Sequence, residues 1–168
     1  MSSYVETVKL LLVRELSSFK REIEAFPNEA DIWAAPPGIS NSAGNLALHC
    51  AGNLQHFIAA KLGASGYVRD RDSEFSRRNV PRVELLAEID RAIAAVEATL
   101  TKITDADLPT AFPEKLANKL VAADVFLLHL AVHLAYHLGQ ADYHRRMTTG
   151  DATTVNTVAV ADLPPAAV

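Results

Sequence analysis

The run from Val125 to Ala141 constrains the chain most: it holds no Asp, Glu, Lys or Arg, yet it carries His129, His133 and His137. A solvated helix of this length would place several charged residues on its wet face. A bilayer span is disfavoured too, because the run sits near the lower length limit and contains imidazoles, Gly139 and Gln140. It is therefore expected to lie against other parts of the same protein. At about 100° per residue, steps of four place the three histidines on one helical face, and His144 lies one heptad beyond His137 on that stripe. Imidazole nitrogens facing a dry core cost about 1–3 kcal/mol each unless they find partners. The partners are the clue to function.

Around this run the chain reads as all-α. Val5, Val8, Leu12, Leu16, Phe19, Ile23 and Phe26 recur at steps of three and four and end at Pro27, which predicts a first helix over Val5–Phe26. Asn28 to Trp33 has room for one short turn before Pro36-Pro37-Gly38. Ser40 or Asn41 offers a cap for a second helix over about Ser42–Leu62, closed by Gly63 to Gly66. The charge-dense segment Arg69–Asn79 reads as a solvated loop or lid rather than core. A third helix begins near Pro81 and runs to Leu100, and a fourth is expected from Leu116 to about Met147, ending at Thr148-Thr149-Gly150. A four-helix bundle over residues 1–150 with long connecting loops is the expected architecture. An extended tail follows over 151–168, in which Thr153–Val160 alternates Thr and Val as a short strand or a docked strap, with a second subunit as one place for it to dock.

Composition narrows the class. A formal net charge of -4 and the absence of a clustered basic surface argue against a nucleic-acid partner. The N-terminus lacks the basic and then apolar run of a secretory signal, and a single cysteine, Cys50, rules out an internal disulfide framework and suits a reducing compartment. A cytoplasmic location is expected, with no membrane partner.

Two histidines at i and i+4 on a helix can direct nitrogens at one cation about 2.0–2.1 Å away. Both His129 with His133 and His133 with His137 fit, and a further ligand would come from the second helix, where His49, Asn53 and His56 share a face. Asn53 is placed to orient His49 by a hydrogen bond. Cys50 projects about 100° from His49 among apolar neighbours, as an inert buried thiol does. Arg145 and Arg146 suit either an anionic substrate or the ordinary preference for cations in a last helical turn. No Asp or Glu accompanies the histidine stripe in sequence as a general base.

The run His133-Leu134-Ala135-Tyr136-His137-Leu138-Gly139-Gln140, about eighty residues after His49 and with Glu84-Leu85-Leu86 at the start of the third helix, resembles the DinB/YfiT superfamily of bacterial metal-binding four-helix bundles. The resemblance covers about residues 4–147. It implies a divalent ion held by His49, His133 and His137, with nickel or zinc foremost and iron or cobalt suitable. His56, His129 and His144 then fall outside the ligand set. It also implies a homodimer, and a metal-dependent enzyme acting on a small molecule as a thiol-dependent S-transferase or isomerase using a low-molecular-weight thiol; a metal-bound water would instead make it a hydrolase. A non-catalytic, stress-associated metal-binding dimer is the alternative.

Overall fold

The computed structural model describes residues 3–156 and 159–163. It contains α1 (Tyr4–Glu24), α2 (Glu29–Ile32), α3 (Ala43–Leu54), α4 (Arg71–Ser76), α5 (Arg82–Leu100) and α6 (Ala123–Thr149). Short 3-10 turns lie at Asp105–Asp107 and Val160–Asp162, and no strand occurs among the described residues. The protein is all-α.

α1, α3 and α4 begin where a side chain, Ser3, Ser42 or Asp70, satisfies one of the first unpaired amides. Ser3 and Glu6 form a reciprocal capping box on α1. The Asp105 carboxylate accepts from the amides of Tyr4 and Val5 at 2.9 Å each, tying the turn after α5 to the start of α1. Ser42, one or two residues later than expected, caps α3 by accepting from the Asn45 amide. α3 runs on without a break as a π-helix over Gln55–Leu62, a wide helical form often found beside functional sites.

The long helices close on one another. α1 packs on α5 and α6, and α3 packs on α5, on α6 and on the short α4. Leu12, Leu16, Phe19, Leu54, Ile58, Leu85, Ile89, Leu127 and Leu134 meet in the shared core, so the apolar stripes read from the sequence do face one another.

Two expectations are corrected. The fourth helix starts at Ala123, not Leu116. Leu116 and Lys119 instead exchange backbone hydrogen bonds at 2.9 Å across Ala117 and Asn118, both at positive φ, and Phe112 donates to the Val121 carbonyl at 2.8 Å. A tight left-handed turn takes the backbone groups that a helix would have used. The segment Arg69–Asn79 is not simply solvated: it contains α4, and Glu74 within it is only 6% exposed.

In the tail, Thr153 to Asn156 takes no regular structure, and Thr157 and Val158 of the alternating run, with 164–168, lie outside the described residues. The Thr153 to Asn156 stretch is held by the chain itself. Arg145, fully buried, donates to Glu22 Oε2 at 2.6 Å and to the Thr153 carbonyl at 2.7 Å. Arg21 reaches the carbonyls of Val155 and Asn156 at 3.3 and 3.4 Å. Arg145 thus serves packing, and the substrate role weighed for it is not available. Burial pushes the Glu22 carboxyl above its ordinary range despite the Arg145 guanidinium beside it. Removing one member of a buried ion pair costs about 3–5 kcal/mol, because the other is left charged and dry. Arg145→Met is expected to lose about that much stability in urea unfolding and to expose the Thr153–Asn156 backbone to limited proteolysis.

Candidate metal centre

α3 and α6 bring His49, His133 and His137 together, with one ring nitrogen from each inside 4.8 Å of the others. His133 Nε2 lies 3.3 Å from His49 Nε2 and 3.1 Å from His137 Nε2. Nitrogens bound tetrahedrally at 2.0–2.1 Å are about 3.3 Å apart, and a facial octahedral set is a few tenths of an ångström closer. The two spacings about His133 match those of ligands on one first-row divalent cation.

The far nitrogens are also held. His137 Nδ1 donates to Gln140 Oε1 at 2.7 Å, which leaves its Nε2 lone pair facing the centre. Gln140 is one turn further along α6, so the -Gly-Gln end of the motif has a physical task. On His49, Nδ1 lies 3.0 Å from Glu74 Oε2. An ionised carboxylate only accepts, so that nitrogen carries the proton.

The environment keeps His133 and His137 neutral. Burial, then the neighbouring His137 and His49, lowers His133 to about 4. Burial lowers His137 as well, against the opposing hydrogen bond of Gln140. Burial alone would raise Glu74, but the hydrogen bonds of Arg69 and His49 outweigh it and hold the carboxyl below its usual range.

The other candidates fall elsewhere. His129 is exposed, with its ring 6.0 Å from that of His133, and it adds no nitrogen to the group. His56 pairs with Glu114 at 3.2 Å, beside Lys61. His144 is buried against Phe26, and its Nε2 donates to the Ala34 carbonyl at 2.7 Å. Asn53 does not orient His49, whose two nitrogens face Glu74 and His133; its Oδ1 is buried without a partner. Cys50 is buried and its thiol is pushed up by that burial, as expected of an inert residue. Arg146 pairs with Asp142 at 3.0 Å.

Glu74 was not foreseen as a partner of the histidines. It comes from α4, and Phe75 beside it places its ring 4.8 Å from that of His49. On the other side Gln140 lines a cleft of about 220 Å³ with Asn41, Leu46, Tyr143 and Met147.

The fold and this site define a helical protein with a three-histidine group suited to a metal ion. The chain belongs to the DinB superfamily, whose family model matches residues 12–141. Comparison with curated proteins and with solved structures gave no significant match. Among the described residues no helix is long and apolar enough to cross a membrane.

The buried histidines set a pH dependence. His133, His137 and His144 all have folded pKa values below the unfolded value near 6.5. The stability they contribute is complete above about 6.5 and is lost as pH falls toward their folded values, about 4 for His133. Metal-free protein is expected to melt at a lower temperature at pH 5 than at pH 7.5 in scanning calorimetry, with a shallower dependence in His133→Asn/His137→Asn.

Proposed function

We propose that this chain is a metal-dependent enzyme in which His49, His133 and His137 hold one divalent ion, nickel or zinc foremost, for chemistry on a small molecule. The observation that carries this is the convergence of three Nε2 atoms, with two of the three rings fixed from behind by Glu74 and Gln140. Three neutral protein ligands leave the ion's charge uncompensated and a coordination position open, whereas structural sites are usually closed by four. A bound ion supplies Lewis-acid polarisation and lowers the pKa of a water or thiol at that position. The chain's own part is to hold the imidazoles aimed, and to offer the cleft beside Gln140 to the substrate's body. Family resemblance supports an external low-molecular-weight thiol as the nucleophile, which a cytoplasmic setting would supply.

Protein purified without chelators is expected to carry about one divalent ion per chain, and His49→Ala, His133→Ala and His137→Ala each to lose it. A folded wild type that binds no metal contradicts the reading. Metal that raises the melting temperature while no thiol or anion competes for the open position would favour a non-catalytic role.

The same reading includes a homodimer. Val125, Leu128, Val132, Tyr136, Tyr143 and Met147 are 49–67% exposed along one stripe of α6 about 33 Å long, with no charge between Val125 and Ala141. Burying this stripe against a second copy would explain the missing charges on its outer face. Light scattering is expected to give twice the chain mass for the wild type and the chain mass for Val132→Glu/Tyr136→Glu; a monomeric wild type contradicts it.

A further inference from the structure

Glu74 sits on a helix of only six residues whose placement is fixed from several directions. Asn45, buried on α3 and itself held by Ser42, donates to the Glu74 carbonyl at 3.0 Å and to the Arg77 carbonyl at 3.1 Å. Arg69 grips the carboxylate with Nε at 2.6 Å from Oε1 and Nη2 at 2.7 Å from Oε2. Gly52, three residues after His49, supplies the space: a Cβ there would lie 2.2 Å from Glu74 Oε1 and 3.0 Å from its Cδ. The carboxylate therefore occupies a notch that only glycine leaves open.

Arg69 Nη2 also lies 3.2 Å from His49 Nδ1. This places one ring nitrogen between an acceptor and a donor, and the two demand opposite tautomers. Opposite Glu74, Nδ1 carries the proton and Nε2 has a free lone pair. Opposite Arg69 alone, Nδ1 would accept and Nε2 would carry the proton, closing it to a cation.

We propose that Glu74 is a positioning residue of the three-histidine centre: wedged against Gly52 and gripped by Arg69, it selects the His49 tautomer that can bind metal. The inference rests on the reading of the histidines as metal ligands and goes beyond it, since it assigns control of the site to a segment of the chain 25 residues from His49. An anion behind a ligating imidazole also raises that ring's basicity, and loss of such partners typically weakens metal binding 10–100-fold.

The test uses cobalt(II) as the probe on the full-length protein, with Glu74→Ala, Gly52→Ala and Arg69→Leu/Glu74→Ala. Gly52→Ala keeps every ionisable group and displaces only the flexible end of Glu74. Both single variants are expected to raise the cobalt Kd about 10–100-fold and to alter the cobalt d–d spectrum, and the double variant to recover part of the loss because no donor remains against Nδ1. Histidine 15N NMR of the metal-free proteins is expected to show His49 protonated at Nδ1 in the wild type and at Nε2 in Glu74→Ala. A wild type and variants that bind cobalt within twofold of one another, with the same spectrum and tautomer and only a lower melting temperature, would reduce Glu74 to a tether for α4 and overturn the proposal. A folded wild type that takes up no cobalt refutes the metal reading itself, and the tautomer then decides whether Glu74 controls His49.

Discussion

Three imidazoles packed with their Nε2 atoms 3.1 and 3.3 Å apart about His133 are the constraint around which the rest of this structure is arranged. Lone pairs aimed at one another from adjacent rings repel, and protons shared between them satisfy only some of the nitrogens, so the group is poorly balanced without a cation. Holding it requires rigid elements on both sides. α3 and α6 supply these, each packed into the core on its other face, and their contact fixes His49 opposite the His133 and His137 pair. Gln140 and Glu74 then fix two of the rings from outside. Burial disfavours the charged form of His133 and His137, so the fold stabilises the protonation state that a metal needs.

The same arrangement divides the long α6 helix by task. Its inner residues Leu127, Leu130, Leu134 and Leu138 build the core, while His133 and His137 face α3 at its flank. The exposed Val132 and Tyr136 belong to the outer stripe, and Tyr136 places its ring 5.3 Å from that of His137. Further on, Arg145 and His144 turn to structural work, binding Glu22, the Thr153 carbonyl and the Ala34 carbonyl. This explains how one helix can lack charge for most of its length and then end in a dense ionic cluster.

Much of this was legible in the sequence because helical periodicity and the i, i+4 spacing of His133 and His137 are local properties. The long helices and the histidine stripe of α6 follow from them, while the choice of His49 with His133 and His137 came from the resemblance to the DinB/YfiT superfamily. What was not legible depended on tertiary partners. Glu74 lies in a segment whose alternating charges look solvated, and only its neighbours on α3, Asn45, His49 and Gly52, make it a buried residue; Gly52 three places after His49 was the one local hint of a notch. His144 shares the histidine stripe by count, but by that turn the helix faces Phe26 and Ala34 rather than α3. The start of α6 was misplaced because Leu116 and Val121 are apolar enough to extend a helix, while the backbone turn at Ala117 and Asn118 prevents it.

The central claim is that this group of histidines forms a metal centre with one side open. X-ray absorption at the metal edge of nickel- or zinc-loaded protein tests it most directly. The account predicts a signature of three imidazoles bound at about 2.0–2.1 Å, completed by light donors from solvent that an added thiol replaces with sulfur. A sphere with fewer than three imidazoles, or one closed by protein carboxylates and unchanged by thiol, would contradict it.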